Sequence, residues 1–374
     1  MGLQEEIDKM RPEIRSDHYS MSIGEWISLY EDESINLHPE FQSFFRWTSS
    51  QKTRLIESIL LGIPIPPIFV AQREDGVWDI VDGLNRLSTI YELIGKLKDE
   101  HNNYVEPLIL EGTKYLPSLA GKKWEDNDNS QNSLTQNQRL LIKRAKIDVT
   151  IILEESDDNA KYELFQRLNT GGSIATVQEV RNCILVMNNQ KMFHWMKKLS
   201  QSEIFKDCVG LSEKSIAEQY DMELLLKFLV FINLEEDEIR NISNNYNEFL
   251  TDKMIELSEN QNPHFDYSEA EIAFNRTFEI LNEQMGIDSF RRYSPTKDKF
   301  LGGFLVSAYE FIALGIGYNN YKTLSNSPIN VREKVKQFWI DSENPIMSSQ
   351  GWSNANAQRR ITRLIFPGRK LFQP

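Results

Sequence analysis

Residues 51 to 97 change hydrophobic period twice, from helical to alternating and back to helical, and this pins a strand hairpin between two helices. Ser49 and Ser50 can cap a helix over about 51–61, and Gly62 stands where a C′ residue is expected. Leu55, Ile56, Ile59 and Leu60 share one face of it. The β-rich run IPIPPIFVAQ follows, with Pro64, Pro66 and Pro67 gathered at its entrance, where missing amide donors cost least. Asp75-Gly76 carries a hairpin signal, and VWDIV over 77–81 reads as the returning strand. Asp82-Gly83 then turns directly into an amphipathic helix of about 84–97, striped by Leu87, Ile90, Tyr91 and Ile94.

Around this core the fold class reads as α+β. A mixed α/β domain is expected over residues 1–155 and a larger, mainly helical domain over 156–374. Within the first, PLIL at 107–110 is a candidate strand and IDVTIIL at 147–153 a clear one, rich in β-branched residues. The stretch WEDNDNSQNSLTQ at 124–136 has no period and reads as a mobile loop. From Asn159 onward helices are expected at 159–168, 177–189, 191–200, 216–233, 269–285, 299–314 and 331–341.

Several function classes fall away. The longest apolar run, Ile59 to Ala71, is broken by prolines and falls short of the roughly 20 residues a membrane helix needs. No apolar signal segment opens the chain, and cysteine appears only as Cys183 and Cys208, so a reducing cytoplasm is the expected location. The histidines at 18, 38, 101, 194 and 264 show no metal-site spacing, and no Walker A, GxSxG or kinase signature is present. A net charge of −13 excludes a uniformly basic nucleic-acid coat. It leaves room for a local patch: from Asn344 onward the chain holds Arg359, Arg360, Arg363, Arg369 and Lys370 and no acid. Such a tail reads either as a solvated face or as a phosphate-backbone contact.

Three segments could carry chemistry. At Asp82-Gly83-Leu84-Asn85-Arg86 a strand hands over to a helix whose opening amides attract phosphate. Gly83 would let the backbone approach a ligand, Arg86 could add a bidentate clamp, and Asp82 could hold a hydrated Mg²⁺. An Asp cap on an ordinary helix explains the same residues. In FQRLNTGGSIATVQEVRN, residues 165–182, the turn Asn169-Thr170-Gly171-Gly172 is a candidate anion nest flanked by Arg167 and Arg181, followed by a Thr176/Glu179 capping box. Over residues 39–70, Arg46, Lys52 and Arg54 surround a helix start beside Trp47.

Taken in order, LIESILLGIPIPPIFV, VDGLNRLSTI and LFQRLNTGGSIATVQEVRN resemble the family called domain of unknown function two-six-two. This is the DGQQR-motif family, typified by the N-terminal halves of GmrSD-type and SspE-type DNA-restriction proteins. The resemblance spans about residues 39–187. It implies a ParB/sulfiredoxin-like α/β core with a helical extension, a nucleotide bound at the strand–turn–helix junction as in related folds, NTP hydrolysis that controls a nuclease in some members, and a role in prokaryotic defence against foreign or modified DNA. Asp82, Gly83 and Arg86 match the family's Asp, Gly and Arg. Leu84 and Asn85 replace its two glutamines, and Ser43 stands where an Arg commonly follows Gln42. Leu84 cannot hydrogen-bond a phosphate or a water, so these departures bear on hydrolysis more than on binding. The nuclease half of the best-known members needs a His in a His-x-x-Pro setting, which neither His194 nor His264 offers.

The first expectation is therefore a nucleotide-binding, NTPase-like sensor or regulator of a DNA-restriction system. Asp82 and Arg86 are its catalytic candidates. Gly83, Asn85, Lys52, Arg54 and the 169–172 turn are its nucleotide contacts. A non-catalytic DNA-binding or partner-binding subunit using the basic tail is the second, and metal-dependent nicking by the core itself the third. The partners that follow are a nucleotide, DNA, a separate nuclease or ATPase subunit and further copies of the chain, with no membrane.

Overall fold

β-branched and aromatic residues at 68–72, 78–82 and 146–152 build the middle of one mixed sheet in the computed structural model of the chain. The structure describes residues 16–37, 47–73, 75–99, 101–153, 176–242, 245–259, 265–323, 330–341 and 357–373. The chain divides into two units, Met1–Ala175 and Thr176–Pro374.

In the first unit β1 (Ser16–Ser22) leads into α1 (Ile23–Glu31), β2 (Ile35–Asn36), α2 (Ser49–Leu61), β3 (Ile68–Gln72), β4 (Trp78–Asp82), α3 (Leu84–Leu93), α4 (Gln136–Arg144) and β5 (Lys146–Ile152). The strand order is β1-β5-β3-β4-β2. β1 runs antiparallel to β5, β5 parallel to β3, β3 antiparallel to β4 and β4 parallel to β2. Strand β3 is central, with Ile68 and Val70 fully buried, whereas the polar start of β1 is exposed as an edge should be. Trp26, Ile56, Leu87, Ile90 and Tyr91 complete the core. The Tyr91 hydroxyl donates to the Trp26 carbonyl at 2.8 Å, which satisfies the polar end of a buried ring.

The 51–97 expectation holds in its main lines and shifts in detail. The cap of α2 is Thr48, paired reciprocally with Gln51, and not Ser49 or Ser50. Gly62 ends the helix with φ 69°, as a C-cap glycine does. Helix α3 stops at Leu93, earlier than expected, because the chain turns at Ile94 and Gly95 (φ 70°). PLIL forms no strand: the Leu108 amide donates to Glu92 O and the Leu110 amide to Lys122 O, so neither joins a ladder. The expected loop at 124–136 is built, with a 3₁₀ turn at Ser130–Asn132. The Asp126 carboxylate accepts there from the amides of Asp128 and Asn129, and Leu134 is buried. Helix α4 escaped the sequence reading because it is short and buries only Ile142, yet its Thr135/Gln138 box was legible.

The second unit is helical, bearing out the fold class. Its helices are α5 (Val177–Ser200), α6 (Glu203–Val209), α7 (Glu213–Ala217), α8 (Tyr220–Asn233), α9 (Glu236–Arg240), α10 (Tyr246–Ser258), α11 (Tyr267–Gln284), α12 (Val306–Thr323), α13 (Val331–Ile340) and α14 (Ala357–Leu371). The expected helices 177–189 and 191–200 form one element, interrupted where Asn189 leaves helical geometry at φ −152°, ψ 83°. The expected helix 299–314 begins instead as β7 (Lys299–Leu301), paired antiparallel with β6 (Arg292–Ser294). Tyr293 packs against Phe300 across that pair, and the helix starts only at Val306, past Gly302-Gly303. Helices α12 and α14 cross so closely that a Cβ on Gly315 would lie 2.6 Å from the Gly368 carbonyl carbon. The expected helix 159–168 lies outside the described residues.

Candidate functional site

Strand β4 ends at Asp82, and Gly83 turns the chain with φ 107°. Two constraints make this position a glycine. The backbone lies in the left-handed region, and a Cβ would stand 2.8 Å from Ile68 Cγ1 and 3.1 Å from an Arg86 terminal nitrogen. The Leu87 amide closes the first turn of α3 on the Gly83 carbonyl at 3.0 Å. No side chain caps this N-terminus, so the opening amides of α3 stay available as donors.

Arg86 folds back over the turn. Its Nη2 donates to Asp82 Oδ2 at 2.9 Å and to the Pro67 carbonyl at 3.1 Å. The guanidinium side chain is 12% exposed and the Asp82 side chain 32%. Arg86 Nε is buried without a hydrogen-bond partner among the described residues. The resting arrangement is thus an i,i+4 ion pair held against the backbone, not an open clamp. No cluster of three His, Cys, Asp or Glu side chains forms a metal site among the described residues.

The other expected contacts divide. Leu84 faces the core at 9% exposure, while Asn85 is half-buried and its carbonyl accepts from the Thr89 hydroxyl at 2.6 Å. Lys52 pairs with Glu92 at 2.5 Å, six residues beyond Arg86 and so about 9 Å along the axis of α3. Lys52 is thus committed to Glu92, whereas Arg54 is exposed on α2. The turn Asn169-Thr170-Gly171-Gly172, with Arg167, Ser43 and Arg46, lies outside the described residues.

The basic tail is amphipathic helix α14, and its cations part company. Arg359, Arg363 and Lys370 are exposed. Arg360 is buried and forks onto Glu310 at 2.6 and 2.7 Å. Arg369 is buried too. Its Nη2 donates to the Phe231 and Leu234 carbonyls at 2.8 Å each, and its guanidinium stacks 3.6 Å from the Tyr318 ring centre. Those carbonyls lie at the end of α8, where unpaired acceptors favour a cation. Two of the five candidate DNA contacts therefore serve the interior. Arg181, read as flanking the anion turn, is fully buried and bonded to Thr251, Gln178 and Asn247.

Sequence reasoning passed over the Pro67 carbonyl, which only the fold brings to Arg86. It also passed over a cavity of about 570 Å³ beside β2, walled by Tyr30, Asn36, Arg73, Lys96 and Lys98. No sequence signal marked it.

The Asp82–Arg86 corner and the helices around it fall inside a recognised domain. Residues 23–186 match the family model of the GmrSD restriction endonuclease, N-terminal domain. The match starts at the first residue of α1, takes in the whole hairpin and ends within α5. It bears out the resemblance read from the motifs and places this segment with DNA-restriction and defence proteins. No curated protein and no solved structure matches the chain. Among the described residues, no helix is long and apolar enough to cross a membrane.

Proposed function

We propose that the protein is a nucleotide-responsive component of a DNA-restriction defence system, with the nucleotide's phosphates held at the Asp82–Arg86 corner. The observation that carries this reading is the conjunction of an uncapped α3 N-terminus, entered through the left-handed Gly83 turn, and a guanidinium poised one turn in. Phosphate would exchange with Asp82 on Arg86. Asp82, released, would be the residue to hold a Mg²⁺, which would supply charge neutralisation at the phosphates. The ion pair acts in this scheme as a latch that ligand binding opens. The buried Leu84 leaves the motif with one amide side chain, Asn85, to orient a water, which favours a binder or slow hydrolase over a fast one.

Calorimetry with each of the four NTPs and Mg²⁺ tests this directly. Wild type should bind at least one of them, and Arg86→Ala should lose it. Absence of heat for wild type with all four would remove the reading.

A second reading rests on the exposed cations of α14. Arg359, Arg363 and Lys370 would contact the DNA backbone, giving salt-sensitive binding that weakens when all three become alanine. The triple variant binding DNA as wild type does would set that reading aside.

A further inference from the structure

Five helices of the second unit begin around one cavity of about 720 Å³: α5 at Val177, α8 at Tyr220, α10 at Tyr246, α12 at Val306 and α14 at Ala357. Each N-terminus carries roughly half a positive charge; at α5 the Thr176/Glu179 box and at α10 the Asn245 side chain take up part of the opening donors. The α8 end has no side-chain cap.

Fixed charges of both signs stand at this cavity. Lys227 lines the cavity at 3% exposure and bonds Glu223 at 2.7 Å; Arg181 stands 3.7 Å from the same carboxylate. Arg360, also on the wall, is paired with Glu310. The charged lining balances, Lys227 and Arg360 against Glu223 and Glu218, with Lys227 as its buried ammonium. Glu218 at the rim is exposed and solvated.

One orphaned group and a buried cation beside it point beyond structure to a ligand. The Tyr246 hydroxyl, on a cavity-lining residue 9% exposed, is buried and has no hydrogen-bond partner among the described residues. Among the described residues the Lys227 ammonium pairs with Glu223, and the Tyr220 and Tyr246 rings lie 5.7 and 5.9 Å from it. A buried donor without an acceptor is costly and uncommon.

We propose that this cavity binds the phosphate group of a small phosphorylated molecule. A tetrahedral oxyanion accepts hydrogen bonds from several directions at once, which is what the surrounding helix ends, an ammonium and a lone hydroxyl supply. The volume lies within the ~300–1,000 Å³ usual for small-molecule sites, so there is room for more than the phosphate itself, with the Tyr220 ring as an apolar wall. The proposal does not depend on the Asp82–Arg86 reading, which concerns the other unit.

The test uses the full chain, with inorganic phosphate and pyrophosphate as probes and chloride at equal ionic strength as control. Phosphate or pyrophosphate should raise the melting temperature of wild type. Tyr246→Phe should leave the ligand-free melting temperature equal or higher, since the lost hydroxyl has no partner, yet weaken anion binding about tenfold by calorimetry, the worth of one hydrogen bond to a charged group. Arg86→Ala protein, which lacks the other proposed phosphate site, should still bind the probes, and adding Lys227→Met should abolish that remaining binding. No effect beyond chloride on wild type would overturn the proposal. Undiminished binding when Tyr246→Phe or Lys227→Met is added to Arg86→Ala would do so too, as would loss of all binding in Arg86→Ala alone.

Discussion

Arg360 offers the sharpest test of how the second unit is held together. In the fold its guanidinium is 4% exposed and forks onto Glu310, which is fully buried between α12 and α14. Replacing Arg360 with Met keeps much of the apolar stem but strands the Glu310 carboxylate without a counter-charge. Removing one partner of such a buried pair typically costs about 3–5 kcal/mol, whereas replacing both with apolar side chains is often neutral or stabilising. Arg360→Met alone should therefore lower the denaturation midpoint strongly. The double variant Arg360→Met with Glu310→Leu should recover most of the loss, giving a coupling of several kcal/mol in a double-mutant cycle. Urea unfolding followed by circular dichroism measures all four species. A single substitution costing under about 1 kcal/mol, or a double variant as unstable as the worse single one, would refute the reasoning.

Gly83→Ala should destabilise the first unit by about 1–3 kcal/mol, because alanine resists φ 107° and its methyl meets Ile68, as thermal unfolding would report. Burial pushes the Cys208 thiol up to about 12, so native protein at pH 8 should resist alkylation at this site and react only once unfolded. The same shift adds stability that is fully present below the ordinary thiol range and fades as pH rises toward about 12, which alkaline melting curves of wild type and Cys208→Ala can compare.

The parts of the fold that were legible in sequence were those where period and punctuation agree. Residues 49–93 show both, with prolines and glycines at the element ends, and their order came through intact. Strand β1 did not, because its first residues are exposed and alternate without an apolar partner set. At α14 counting charge obscured a readable stripe. Ile361, Leu364, Ile365 and Phe372 repeat at helical spacing, and Arg360 and Arg369 are buried with them. The Asp82–Arg86 pair was equally open to inspection, since four residues apart at a helix start is within ion-pair reach. That Lys52 would turn to Glu92 depended on packing of α2 against α3, which spacing does not encode.

The central claim is that ligand phosphate competes with Asp82 for Arg86. Titration of the full chain with Mg²⁺ and an NTP, read by calorimetry on wild type, Asp82→Asn and Arg86→Ala, tests it most directly. If the exchange operates, wild type binds with Mg²⁺, Asp82→Asn binds nucleotide without needing the metal, and Arg86→Ala binds neither way. Equal binding by wild type and Arg86→Ala would contradict it.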